Sequence, residues 1–166
     1  GENPVGITIA NGKIITNRSL EGSSYGLIGF NEDNTLVLLH NVTGESALEM
    51  GVRDAVTMAP FLIVNGKPAF TKGNGGWGYA ARTAIGQRKD GIVLFLVIDS
   101  NHTRTKGASM KDLVEIMQRY GAVNAANLDG GTSSAMVENG IMINDPIDSV
   151  GRHRTRGIPT VFNVIP

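Results

Sequence analysis

A single α+β domain, with a mixed β-sheet, several hairpins and one main helix, is the fold class this 166-residue chain predicts. Three observations predict it. Short apolar and β-branched runs are separated by Asn-Gly and Asp-Gly turns, which accept the positive φ angles of tight hairpins. The 22 glycines, many at turn positions, accompany only 5% aromatic residues, a composition of strands and turns rather than of a helical bundle. From Gly91 to Leu128 the chain alternates an apolar strand, an amphipathic helix and a second apolar strand.

The elements follow in order. Ile7-Thr8-Ile9 and Ile14-Ile15-Thr16 form a hairpin across Asn11-Gly12. Gly26 to Phe30 and Leu36 to Leu39 form a second across Asn31-Glu32-Asp33-Asn34. Ser46 to Met50 predicts a short helix that stops at Gly51. Ala55 to Met58 and Phe61 to Val64 predict strands, with Pro60 at a bend or edge. Thr83 to Gln87 pairs with Ile92 to Ile98 across Lys89-Asp90-Gly91, and the second run, apolar on both faces, predicts a central strand. Ser109 caps the main helix, about Met110 to Tyr120, with Asp112 completing a capping box. Leu113, Val114, Met117 and Tyr120 share one face of it, and Gly121 closes it. Val123 to Leu128 is the next strand. A strand–helix–strand crossover returns the chain in the same direction. Asp99 and Asp129 should therefore end parallel strands and, if these are adjacent, share one sheet edge. Ala135 to Val137 and Ile141 to Ile143 flank Asn139-Gly140 as a further hairpin, and Thr160 to Ile165 is the expected last strand.

Charge and composition remove several function classes. The formal net charge is 0, whereas general nucleic-acid binding needs a basic face. With no cysteine, disulfides and thiolate chemistry are excluded. His40, His102 and His153 have no ligand spacing, so no zinc site is expected. No ordered EF-hand series exists. The expectation is no cofactor, with a divalent cation at the Asp-rich loops left open. No apolar run approaches the roughly 18 residues of a membrane span. Gly73-Asn74-Gly75-Gly76-Trp77-Gly78 spells a dinucleotide fingerprint, with Asp99 downstream. No strand precedes it and no long helix follows, so it is expected to be a loop, with Trp77 and Tyr79 available to stack on a sugar ring. The polar stretch Asn101 to Lys106 is a second loop.

The most informative segment is Asn127-Leu128-Asp129-Gly130-Gly131-Thr132-Ser133-Ser134. A carboxylate ends an apolar run, and two glycines can expose backbone N–H groups to a ligand. Asn127, Thr132, Ser133 and Ser134 add hydrogen-bonding groups. Such a loop suits a sugar, a phosphate or both. Asp99 and Asp129 form a carboxylate pair of the kind glycoside cleavage uses. Arg82, beside Thr83 and after a glycine-rich loop, can grip phosphate through paired N–H bonds. Arg156 can supply a second anion contact, although it lies in a basic run with Arg152, His153 and Arg154.

The ordered series Arg82-Thr83-Ala84-Ile85-Gly86, Asp90-Gly91, the apolar run to Asp99, Gly107-Ala108-Ser109, Tyr120-Gly121-Ala122 and Asn127-Leu128-Asp129-Gly130-Gly131 resembles the phosphodiester glycosidase domain family. Pro60 to Lys67 resembles the family's Pro-x-Leu-Val-x-Asn-Gly-Lys hairpin. Arg156 to Phe162 resembles its terminal Arg-x-Val-x-x-Ala-Leu strand. The resemblance covers most of the chain. Thr132 stands where the family loop often has a third glycine. The family's early Asn-x-Gly-Phe-Phe segment has no counterpart in Gly1 to Asn17, so an N-terminally truncated domain is expected. The resemblance implies hydrolysis of the glycosidic bond in a sugar-1-phosphodiester, with N-acetylglucosamine or a related envelope sugar. It implies catalysis by Asp129 and Asp99. The substrate would be bound by Arg82, Thr83, Asn127, Gly130, Gly131, Thr132, Ser133, Ser134 and Arg156. The implied setting is extracellular, periplasmic or cell-envelope. The alternatives are a sugar-phosphate-binding envelope module without turnover and a structural domain. Polar residues gathered at strand ends count against the last.

Overall fold

The structure, a computed structural model, describes residues 3–20, 22–70, 75–100 and 105–165. Asn11 and Gly12 both take positive φ and close the hairpin of β1 (Ile7–Ala10) and β2 (Lys13–Asn17). The second hairpin is β3 (Gly26–Asn31) and β4 (Leu36–Leu39). Thr43 caps α1 (Gly44–Glu49), and β5 (Val52–Met58) follows. These strands form one sheet in the order β2-β1-β5-β3-β4.

The second sheet is built from β6 (Phe61–Val64), β7 (Lys67–Pro68), β8 (Arg82–Arg88), β9 (Val93–Ile98) and β10 (Ala122–Asn127). Its order is β7-β6-β10-β8-β9. The main helix α2 (Met110–Arg119) connects β9 to β10. Its capping box forms as the sequence predicts: Asp112 N–H donates to Ser109 Oγ at 3.2 Å, and Ser109 N–H donates to Asp112 Oδ2 at 2.8 Å. A short hairpin, β11 (Val137–Glu138) and β12 (Ile141–Met142), follows.

Three apolar clusters stack through the molecule. Ile7, Leu27, Val52 and Ala47 pack between the first sheet and α1. Ile28, Leu36, Phe61 and Ile85 fill the space between the sheets. Leu62, Ala84, Leu113 and Met117 join the second sheet to α2. The layers are therefore helix, sheet, sheet, helix. Buried Gln87 bridges the sheets, accepting from Leu36 N–H at 2.7 Å and donating to Asn34 O at 2.8 Å.

The α+β class and the one main helix hold, with strands dominating. The mixed sheet does not: every ladder among the described residues is antiparallel. Strands β9 and β10 do run parallel, but β8 inserts between them and pairs antiparallel with both. The run Ile92 to Ile98 is consequently an edge strand, not a central one. It is apolar on both faces because Leu94, Leu96 and Ile98 pack toward α2 while Phe95 and Val97 line a cleft. Thr160 to Ile165, the expected last strand, forms no strand and joins no ladder. Of the glycine-rich fingerprint, Gly73 and Asn74 lie outside the described residues, and β8 rather than a helix follows it. His102 and most of the Asn101 to Lys106 loop also lie outside them. No helix among the described residues is long and apolar enough to cross a membrane.

Candidate active site

The antiparallel insertion of β8 gathers the site. Its first residues run beside the end of β10: Asn127 pairs with Ala84, Leu128 N–H donates to Thr83 O at 2.8 Å, and Gly131 N–H donates to Ala81 O at 2.8 Å. On the other side Arg82 pairs with Ile98, which sets Asp99 at the same sheet end. The loop after β10 thus lies along Ala81, Arg82 and Thr83. A Cβ on Gly130 would stand 2.8 Å from Ala81 O, so the close approach requires glycine there.

Asp129 faces Arg156. Arg156 Nη2 donates to Asp129 Oδ2 at 2.5 Å, Arg156 Nε donates to Ser133 Oγ at 2.5 Å, and Arg156 N–H donates to Thr132 O at 3.2 Å. Arg156 therefore holds the carboxylate and the 3-10 turn Gly131–Ser133 together. Both charged side chains stay about half exposed, at 49% and 45%, so each keeps room for a ligand. The two glycines of the loop were expected to expose their N–H groups to a ligand. Instead the Gly131 N–H is committed to Ala81, and a guanidinium stands against the carboxylate.

Strand geometry separates the neighbours Arg82 and Thr83, because successive side chains point to opposite faces. Arg82 turns to the α2 side and is only 7% exposed. Its Nε donates to Ala108 O at 3.0 Å, and its Nη2 donates to Trp77 O at 2.8 Å and Gly78 O at 2.9 Å. Gly107, at φ +77°, lets the chain pass so close to Ala80 that a Cβ would meet Ala80 O at 2.1 Å, and this sets the Ala108 carbonyl within reach. Burial pulls the Arg82 pKa below its ordinary value, since water is lost and only carbonyl dipoles replace it. The expected phosphate grip is thus a buried brace for the Trp77-Gly78 turn. Thr83 turns the other way, lines a cleft of about 880 Å³ together with Asp129 and Ser133, and its Oγ1 has no partner.

Two further expected ligand groups point inward. Asn127 is 2% exposed, and its Nδ2 donates to Ala59 O at 2.7 Å, so it clasps the turn before β6. Ser134 is fully buried. Thr132 and Gly131 instead border a smaller pocket of about 350 Å³, with Tyr79, Ser100 and Lys106. That pocket and the larger cleft lie on either side of the Asp129 loop.

Asp99 reaches the same sheet end but is fully engaged. Its Oδ1 accepts from Asn144 Nδ2 at 2.7 Å and its Oδ2 from Asp145 N–H at 2.9 Å. Asn144 also donates to Ser134 O at 2.9 Å and accepts from Met136 N–H at 2.7 Å. Asp99 anchors the 134–145 segment, and this role was not visible in the sequence. Neither were the roles of Asn144 and Asp145, whose Oδ1 lies 2.6 Å from His153 Nδ1. Asn144-Asp145-Pro146 is the turn-forming tripeptide that signals such a clasp.

The basic run is likewise absorbed. Asp148 accepts from the Arg152 and Val150 N–H groups and from the Arg152 and Arg154 guanidinium groups. The Arg152 N–H first, then the two guanidinium groups, hold its carboxyl far below the usual carboxylate range. A depressed folded pKa stabilises the fold above the unfolded carboxyl pKa, about 3.9, and that support fades as pH falls through the folded value. Amide protection at Val150 and Arg152 is therefore expected to persist down to about pH 4 and to decline below it. Asp148→Asn should lower that protection already at pH 7; equal exchange in both proteins would show that Asp148 does not hold the loop.

Comparison with known proteins places this geometry. The family model described as phosphodiester glycosidase matches residues 1–165. The chain belongs to the phosphodiester glycosidase family. Among curated relatives, the phosphodiester glycosidase domain is 30% identical over 129 residues to the SPbeta prophage-derived protein YomE of Bacillus subtilis, covering 74% of this chain and 20% of YomE. It is 40% identical over 70 residues to the human N-acetylglucosamine-1-phosphodiester alpha-N-acetylglucosaminidase, covering 42% of this chain and 13% of that protein. The catalytic domain of the zebrafish enzyme of the same name shares its fold, with a TM-score of 0.70 at 23% identity over 86% of this chain and 50% of that one. The phosphodiester glycosidase domain thus spans a fifth or less of these two curated relatives.

Proposed function

We propose that this domain hydrolyses the glycosidic bond of a sugar-1-phosphodiester, the sugar being N-acetylglucosamine or a related envelope sugar. The observation that carries the proposal is the half-exposed Asp129–Arg156 pair at the cleft, in a chain that matches the phosphodiester glycosidase family over residues 1–165. Water attacks the anomeric carbon, the bond from that carbon to the phosphate oxygen breaks, and a phosphate monoester departs. Phosphate already leaves readily as an anion, so protonating it matters less than in ordinary glycosides. The demand falls on activating water and on stabilising positive charge at the anomeric carbon. Asp129 is the group for both. Arg156 carries the unspent N–H donors that a departing phosphate requires. Thr83 and Ser133, which line the cleft with Asp129, face the substrate there, while Arg82, Asn127 and Asp99 position those groups. We place the reaction outside the cytoplasm, where envelope glycans are exposed.

The test is isotopic. With a sugar-1-phosphodiester in ¹⁸O water, the label is expected in the released sugar. Label in the phosphate monoester would mean cleavage at phosphorus and would overturn the glycosidase assignment. Binding without either product would leave a sugar-phosphate-binding module.

A further inference from the structure

Three hairpin turns among the described residues carry the pair Asn-Gly: Asn11-Gly12, Asn65-Gly66 and Asn139-Gly140. Their backbones are alike, with φ of 49°, 49° and 51° at the asparagines and 69°, 77° and 78° at the glycines. This is the turn that joins short antiparallel strands. Their surroundings differ. Asn11 N–H donates to Asp54 Oδ1 at 2.8 Å and Gly12 N–H to Arg53 O at 2.8 Å, so the first turn is tied to β5. Asn65 N–H donates to Asn124 Oδ1 at 2.9 Å and Gly66 N–H to Val123 O at 2.7 Å, so the second is tied to β10. The N–H groups of Asn139 and Gly140 meet no acceptor among the described residues. Their hairpin, β11 and β12, is a sheet of its own, and its Val137 and Ile141 are 59% and 68% exposed. An isolated two-stranded hairpin is marginally stable in water, and such a turn opens well below the free energy of global unfolding.

We propose that Asn139 is a site of spontaneous covalent modification, where the main chain cyclises and the side-chain amide becomes a carboxylate. Asparagine is thermolabile, and a following glycine leaves the attacking nitrogen unshielded by any side chain. The Gly140 backbone nitrogen attacks Cγ of Asn139, and the new C–N bond closes an imide ring. The C–N bond of the side-chain amide breaks, and its nitrogen leaves as ammonia with the proton from Gly140 N–H. Water then opens the ring at either carbonyl, giving aspartate or isoaspartate. No oxidant, reductant or cofactor enters the balance. The step needs a glycine N–H without an acceptor and a turn free to leave its positive-φ shape, so that nitrogen and Cγ meet. The ties at Asn11-Gly12 and Asn65-Gly66 oppose both, and the bare Asn139-Gly140 turn opposes neither. In isoaspartate the main chain runs through the former side chain and the turn gains one carbon, which works against the Glu138–Ile141 pairing. Either product also adds a negative charge close to Glu138. The proposal stands on the turn itself and does not depend on the reaction assigned above.

The test follows the 166-residue protein over time in mildly alkaline buffer, folded and in denaturant. Peptides carrying Asn11, Asn65 and Asn139 are measured by mass spectrometry for the gain that turns an amide into a carboxyl. Isoaspartate is detected by enzymatic methyl transfer to its carboxylate. In the folded protein, conversion at Asn139 is expected to be about tenfold or more faster than at Asn11 or Asn65, because its turn opens alone while theirs open with a sheet. In denaturant, where no turn is held, that ratio is expected to collapse toward parity. Equal rates at the three sites in the folded protein would overturn the proposal. So would folded protein that keeps the Asn139 amide while denatured protein loses it at all three sites. The same tenfold ratio in denaturant would overturn it as well, since neighbouring sequence rather than the untied turn would then set the rate.

Discussion

Asp129→Asn is expected to lower hydrolysis of a sugar-1-phosphodiester by about 10²-fold or more, the scale of lost acid–base catalysis. The substitution keeps size and hydrogen-bond reach but removes the charge. Its structural cost is small, because the Asp129–Arg156 pair is about half exposed and such pairs contribute roughly 0–1 kcal/mol. Asn can still accept from Arg156, so the 3-10 turn keeps its clasp through Ser133 and Thr132. Ligand binding should largely survive, since Arg156 then presents an uncompensated positive charge to phosphate. Turnover at the wild-type rate, with unaltered thermal stability, would show that Asp129 only shapes the loop.

Arg82→Ala is expected to destabilise the fold by about 3–5 kcal/mol. Three carbonyls, those of Trp77, Gly78 and Ala108, lose a charged donor at once, and the Arg82 residue they hold is 7% exposed. For a domain of this size the loss corresponds to a fall in Tm of about 2–4 °C per kcal/mol. Arg82→Lys should recover little, because one ammonium cannot span the three acceptors that the planar fork reaches. The sequence alone suggested a different role, an arginine that grips phosphate through paired N–H bonds. An Arg82→Ala protein with wild-type Tm and weakened phosphate binding would restore that assignment.

What the sequence could and could not convey follows from the range of the interactions. The hairpin turns, the Phe61–Val64 strand and the Ser109–Asp112 capping box depend on neighbours within a few residues, and each is where the pattern puts it. The insertion of β8 between β9 and β10 depends on pairs from 34 residues apart (Ala122 and Arg88) to 43 (Asn127 and Ala84), and no local period encodes it. The fate of Arg82 was hidden for a related reason. Adjacent residues on a strand face opposite ways, and an Arg-Thr pair does not say which one meets water. Asp99 shows the limit most plainly. Its place at a strand end was legible, but its partners Asn144 and Asp145 are 45 and 46 residues away. Asp129, Arg156 and the glycine loop were legible as a group because their chemistry, not their packing, marks them.

The Asp99–Asn144 clasp divides the molecule into two tiers of cooperativity. The sheets and helices share three continuous apolar clusters and should open only together. Residues 134–154 are fastened instead by side chains: Asn144 to Asp99, and Arg152 and Arg154 to Asp148. A segment held in this way can melt as its own unit below the free energy of global unfolding. Asp148 loses its hold on protonation, so acid would loosen residues 148–154 of this arm while the double sheet stands. Part of the wall around Asp129, including Met136 and Val137, belongs to that weaker tier.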